Sequence, residues 1–238
     1  NAQNENRHVS GVRNKVAEVV YVKDLVTKVL DNILERQSLI GKICISEGVT
    51  NYFDMLMQMP SAELARVLIE GLPSRMDTLT AFLNEDHYAL FPLYNFYFTR
   101  DASVTIGNHA LICRMANKVR MRESLIMEAI YKGSGEFQCG IINAHNFQPG
   151  NKDIYMEGGD ILIAREDILL IGNGVRTSTQ GIDMLVSQLC HIAPQGQKHI
   201  IVQQLPSTPE SFIHLDMVFT LLDHDKCMVF EPLILRDN

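Results

Sequence analysis

The sequence has no CxxC pair, no long apolar run and no surplus of positive charge. Each absence excludes something. Without closely spaced cysteine pairs, a tetrahedral zinc site of the usual kind has no ligand frame. The five cysteines, Cys44, Cys113, Cys139, Cys190 and Cys227, are odd in number and widely spaced. That is not the framework of a disulfide-stapled domain, and it fits a reducing, cytoplasmic home. No stretch approaches the ~18 apolar residues of a membrane span, and no charged-then-apolar secretory leader is expected. The formal charge is −7, from 28 acidic and 21 basic residues. Nucleic acid and anionic membrane both select clustered Lys and Arg, so neither is an expected partner. A small cationic substrate is compatible with the balance.

What is present is core-forming material. Hydrophobic residues make up 46% of the 238 residues, enough for one large or two small domains and too much for a disordered chain. The polar start, NAQNENRHVSG, reads as a loose end or a cut fragment. Residues 16–22 read as a short strand. DLVTKVLDNIL then places Leu25, Val26, Val29, Leu30 and Ile33 at helical spacing. PSAELARVLIEGLP is a second helix, with Ser61 as its expected cap, Gly71 closing it and Pro73 preventing continuation. Residues 24–86 are therefore expected to be helical throughout.

After His87 the texture changes. SVTI and HALIC flank Gly107-Asn108, a two-residue hairpin signal. The helix RESLIMEAIYKG follows. DILIA and DILLIG form a second hairpin, TQGIDMLVSQL a second helix and HIIVQQL a strand. DMVFTLL and KCMVFE form a third hairpin around DHD, which is a solvated turn rather than a metal site. Each hairpin is entered through a polar cluster with an acid: FTRD at Asp101, EGGD at Asp160 and HLD at Asp216. The three recur at intervals of roughly 57 residues, a period typical of repeat architectures. A circular arrangement of such units would bring the clusters to one place.

In a strand, residues i and i+2 point to the same side, so His214 and Asp216 of HLD are expected to face one pocket. With Asp101, Glu157 and Asp160, the clusters supply four carboxylates and an imidazole. Crowded carboxylates repel and need a cation, which is a metal or an organic amine or guanidinium. A guanidinium matches carboxylates in bidentate fashion, and His214 is then available as a general acid or base.

Five motifs, PLYNFYFTRD, MANKVRMRE, MEGGD, GNGVRTSTQ and HLDMVFT, occur in an order that resembles the arginine deiminases, guanidine-modifying enzymes of the pentein, or five-bladed α/β-propeller, fold. The resemblance runs from about residue 16 to the end. It implies an α/β fold of about three blades, an incomplete propeller, with a helical insertion. The implied divisions are an N-terminal end with a propeller strand (1–23), the insertion (24–88) and the catalytic blades (89–238). It implies hydrolysis of L-arginine to L-citrulline and ammonia, with no cofactor and no metal.

By the same resemblance, Asp101 and Asp216 grip the substrate guanidinium. His214 protonates the leaving ammonia and later activates water, and Glu157 partners both this histidine and the substrate. Arg120 and Arg176 hold the α-carboxylate, and Asn95 contacts the amino-acid end. Asp160 belongs with the substrate-binding group. Acids at one end and arginines at the other make a slot for a molecule carrying a guanidinium and a carboxylate, and the two arginines disfavour agmatine. The family's cysteine nucleophile, which forms a thiouronium, sits in a Gly-rich segment that none of the five cysteines matches. The 238-residue piece is thus expected to be inactive by itself, and its exposed strand edges favour association, as a homo-oligomer such as a dimer. Alternatives are a related deiminase or amidinotransferase, and a non-catalytic protein that binds guanidino compounds.

Overall fold

The computed structural model describes residues 10–83, 87–147, 154–192 and 199–234. The loose start and residues 84–86 of the expected helical region lie outside these. The described chain divides into two units, Asn1–Pro92 and Leu93–Asn238.

The first unit is helical where its apolar spacing calls for helix. Helix α1 (Val22–Asp31) buries Leu25, Val26, Val29 and Leu30. Asn32 then caps α2 (Ile33–Glu47), its side chain accepting from the backbone N–H groups of Leu34 and Glu35. Gly48 closes α2 in the left-handed conformation, with φ of 72°. Helix α3 (Phe53–Gln58) and helix α4 (Ser61–Glu70) follow, and α4 packs its Leu64, Ala65, Val67 and Leu68 face on α1. Arg36 ties the connection down by donating to the carbonyls of Met57 and Met59 and to the Ser61 hydroxyl.

Three expectations need correction here. Residues 16–22 form no strand. The chain turns there, Val19 N–H bonds the Asn14 side chain, Val16 is exposed, and Val22 opens α1. Among the described residues no neighbouring strand pairs with this stretch, so nothing rewards an extended ladder. Ser61 is not the cap of α4 but its first residue, because Pro60 occupies the cap. Nor is the region helical throughout. Strand β1 (Leu72–Pro73) pairs antiparallel with β2 (Tyr88–Leu90), with the short helix α5 (Leu79–Leu83) between them. Gly71 makes that exit possible. Its φ is 94°, and a Cβ there would meet Leu90 O at 2.8 Å.

The second unit repeats one plan. The helical turn α6 (Thr99–Ala102) leads into hairpin β3 (Ser103–Ile106) and β4 (His109–Ile112), turning at Gly107 with φ of 54°. Helix α7 (Met121–Gly133) crosses over, and β5 (Gly140–Asn143) returns parallel to β4. The plan repeats from the 3-10 turn Gly158–Asp160 through hairpin β6 (Ile161–Arg165) and β7 (Ile168–Asn173). Helix α8 (Thr179–Ile192) then leads to β8 (His199–Gln204), parallel to β7. A third start, the 3-10 turn Leu215–Met217, leads into hairpin β9 (Phe219–Asp223) and β10 (Lys226–Val229) and the short α9 (Glu231–Ile234). A parallel return needs a crossover, which explains why the helices fall between the second and third strands. Ile126, Ile130, Leu111 and Ile142 fill the first repeat, and Leu169, Ile171 and Leu185 the second.

Candidate guanidinium site

The three hairpin entrances meet, since the turn at 158–160 touches both the turn at 99–102 and the turn at 215–217, and Asp101 reaches His214. Glycines allow this approach. A Cβ at position 158 would fall on the Arg100 carbonyl oxygen, and one at 159 would come within 2.7 Å of the His214 ring. Arg100 stitches the first two turns together, donating to the carbonyls of Gly158 (3.3 Å) and Ile161 (2.6 Å).

HLD does not begin a strand. His214 is extended, but Leu215–Met217 is a 3-10 turn. The cause is local bonding: Leu215 N–H goes to Asp160 Oδ1 at 2.8 Å and Met217 N–H to the His214 carbonyl. His214 and Asp216 therefore part company. His214 turns into the centre and is buried, whereas Asp216 is half-buried and lines a depression of about 310 Å³ with Arg100, Thr220 and Leu221.

Glu157 is the hub, with no exposed surface. Its Oε2 lies 3.0 Å from His214 Nε2 and 3.4 Å from Arg120 Nη1. Its Oε1 accepts from Ala116 N–H at 3.1 Å and faces Arg176 Nη1 at 3.5 Å. Its own N–H donates to the Thr177 hydroxyl. Asp101 Oδ1 stands 3.7 Å from His214 Nδ1, and its Oδ2 accepts from Arg120 Nη1 at 2.9 Å. Glu123 holds the opposite edge of Arg120, accepting from Nε and, at 2.7 Å, from Nη2. Asn95 joins through its backbone carbonyl, 3.4 Å from Arg120 Nη2, while its side chain is exposed. Asp101, Glu157, His214, Arg120 and Arg176 are thus brought together. Asp160 supports from behind, and Asp216 acts on the cluster only through space.

Glu123 and Thr177 were not singled out in the sequence. Glu123 carried a signal, standing three residues after Arg120 at the start of a helix, where such pairs face each other. Thr177 stood within GNGVRTSTQ, directly after Arg176, but its hydroxyl alone marked no role.

The charges are mutually set. Burial pushes the Glu157 carboxyl up, but His214, Arg176 and Arg120 outweigh it and hold the carboxyl below its ordinary range. Burial pushes His214 down, but the Glu157 bond and the nearby Asp101 and Asp160 charges outweigh it and raise the imidazole. Burial raises Asp216. It also raises the Cys113 thiol well above normal, with Glu157, Asp101 and Asp160 adding to the effect. Asp101, Glu157 and His214 offer donor atoms within 4.8 Å of one another, the spacing of a three-donor cation site. Two of the three, Asp101 and Glu157, already face the Arg120 guanidinium.

Asp160 yields a pH prediction. Burial raises it to about 6, against the lowering influence of Thr177, His214 and Leu215 N–H. A carboxyl raised above its unfolded value of ~3.9 binds its proton more tightly when folded, so stability falls as pH rises through the interval. Between about pH 3 and 7 this group alone removes about 3 kcal/mol. Asp160→Asn is expected to flatten that slope in urea unfolding. An unchanged slope would show that Asp160 is ionised at no such cost.

The family described as arginine deiminase matches residues 1–237. Among curated proteins, the arginine deiminase of Bacillus cytotoxicus is 32% identical over 233 residues, covering 90% of this chain and 55% of that protein. That of Listeria monocytogenes serovar 1/2a is 30% identical over 224 residues, covering 89% and 54%. The chain spans about half the length of the curated relatives it matches. Among solved structures, the product-bound N-terminal domain of ArgZ, a cyanobacterial arginine dihydrolase, is 23% identical with a TM-score of 0.45, covering 57% of this chain and 44% of that one. The dimethylarginine dimethylaminohydrolase of Pseudomonas aeruginosa, in complex with citrulline, is 21% identical with a TM-score of 0.42, covering 56% and 46%. With that family's pattern running over residues 1–237, the chain belongs to the arginine deiminase family.

Proposed function

We propose that this chain is the guanidinium-gripping part of an enzyme that hydrolyses L-arginine to L-citrulline and ammonia. The observation that carries the reading is the buried Glu157 hub, which joins His214, Arg120 and Arg176 beside Asp101. Asp101 and Asp216 grip the guanidinium, and Glu157 faces both it and His214. Arg120 and Arg176 take the α-carboxylate, with Asn95 at the amino-acid end and Asp160 fixing the turn that carries His214. In the first step a cysteine thiolate forms a C–S bond to the guanidinium carbon, and the C–N bond breaks. His214 gives its proton to the departing ammonia. In the second step His214 takes a proton from water, oxygen adds to the carbon, the C–S bond breaks and citrulline leaves. A raised imidazole suits the first role and an ionised Glu157 steadies it. No cofactor is required.

The thiolate is not provided by the five cysteines. Cys113, nearest the acids, is buried and held as a thiol. The Cys113 sulfur takes a backbone hydrogen bond from Gly158, while the side-chain contacts of Asp101, Glu157 and His214 described above are to arginines, to backbone and to one another. The 238-residue chain is therefore expected to release no citrulline. The two hairpin–helix–strand repeats, with a third begun, support assignment to the pentein propeller, and helices α1–α4 to its helical insertion. A homodimer and a cytoplasmic setting complete the proposal. Among the described residues, no helix is long and apolar enough to cross a membrane.

The test is citrulline release by the longer parental protein, offered L-arginine and agmatine in parallel. The reading predicts citrulline from arginine with agmatine untouched. No turnover of either by the folded protein would favour a non-catalytic binder of guanidino compounds, which the inert Cys113 also fits.

A further inference from the structure

The slot assigned to a substrate guanidinium already holds one. Arg120 Nη1 lies 2.9 Å from Asp101 Oδ2 and 3.4 Å from Glu157 Oε2, and its side chain is only 7% exposed. Its other edge, Nε and Nη2, is clamped by Glu123, whose side chain is 1% exposed. One guanidinium thus has two separable halves, one facing the slot and one facing an anchor.

We propose that Arg120 is an internal occupant of the slot and that a ligand enters by exchanging partners with it. The inference rests on the proposed reading of the slot. The incoming guanidinium takes the oxygens of Asp101 and Glu157. The Arg120 Nη1 so released takes the ligand's carboxylate. Glu123 keeps its grip on Nε and Nη2, so Arg120 pivots and only one nitrogen changes partners. Charge is conserved at both ends: the buried acids always face a guanidinium, and the buried guanidinium always faces carboxylates.

The exchange explains selectivity without a measure of length. A ligand with a guanidinium but no carboxylate evicts Nη1 and gives nothing back. It leaves Nη1 of a buried guanidinium without a partner and Glu123 as its one remaining counter-charge, where there were three carboxylates before, which is costly. A ligand with both groups restores both ends. Discrimination against compounds such as agmatine then comes from the eviction step as well as from a missing contact. Glu123 is a positioning residue here, and Arg120 the exchanging one.

The experiment is calorimetric titration of the 238-residue chain and of Arg120→Met with methylguanidine and with L-arginine. Removing the internal occupant is expected to strengthen methylguanidine binding at least about tenfold and weaken L-arginine binding at least about tenfold. If methylguanidine binds the variant no better while L-arginine still binds the wild type, the exchange is overturned and the slot reading stands. If neither compound binds either chain, the slot reading itself fails and the exchange with it. Should Arg120→Met not fold, the wild type answers alone through the Arg120 Nη and Nε–H resonances, assigned through the backbone. L-arginine is expected to shift Nη1 strongly and the Glu123-held Nε–H weakly. An Nη1 signal indifferent to saturating L-arginine would overturn the exchange.

Discussion

Glu157→Gln is expected to destabilise the second unit by about 3–4 kcal/mol, the cost of breaking a buried ion pair by removing one partner. Gln keeps the shape but removes the charge that faces His214, Arg120 and Arg176 at once. Two features distinguish this from ordinary core damage. The first is its pH dependence. Glu157 is held below its ordinary range, so its contribution is present above the unfolded value of ~4.3 and is lost as pH falls. His214 is raised, so its contribution is full below the unfolded value of ~6.5 and is lost as pH rises through the folded value. The penalty should therefore be largest between about pH 4.3 and 6.5. The second is the imidazole itself. Without Glu157, burial is opposed only by more distant acids, and the His214 titration should move down. Urea unfolding across pH, with proton NMR of the imidazole, checks both. A penalty that is flat across pH would mean that Glu157 acts by packing alone.

Gly158→Ala is expected to be as severe for a steric reason. The added Cβ falls on the Arg100 carbonyl oxygen, with the Arg100 carbonyl carbon 3.1 Å away. Backbone cannot swing aside as a side-chain tip can. The 99–102 and 158–160 turns must separate, breaking the Arg100 bonds to Gly158 and Ile161. We expect a loss of about 3 kcal/mol, at the upper end for overpacking, together with weaker L-arginine binding, because Asp101 and Glu157 ride on the two turns being parted. Gly41→Ala is the control of opposite sign. Its Cβ meets nothing within 4 Å inside α2, and it should add about 0.5–1 kcal/mol. A thermal melt of each variant decides the matter. Equal melting points for Gly158→Ala and the parent would refute the close approach of the turns.

The hairpins were legible because each carries its own turn chemistry. Gly107-Asn108 fixes the first, and the polar pairs Glu166-Asp167 and His224-Asp225 interrupt apolar runs in the others. The helices were legible because α1 and α4 each bury one apolar face. The turn at His214 was not legible, since the bond that bends it comes from Asp160, 55 residues earlier. Read locally, HLDMVF continues an apolar run and looks like strand. Residues 16–22 misled in the same way, since strand-forming side chains there have no ladder to join. The acids and His214 stood out as site candidates because polar clusters at hairpin entrances are conspicuous. That Arg120 lies between those acids, held from behind by Glu123, depends on how α7 is seated, which local spacing does not encode.

The most direct test of the account is titration of L-arginine into the 238-residue chain and into its Asp101→Asn variant. The account predicts saturable binding to the first that is lost or greatly weakened in the second, because Asp101 supplies a charged wall of the slot. Equal binding by both chains would place the guanidinium elsewhere, and the cluster around Glu157 would then be a structural ion network only.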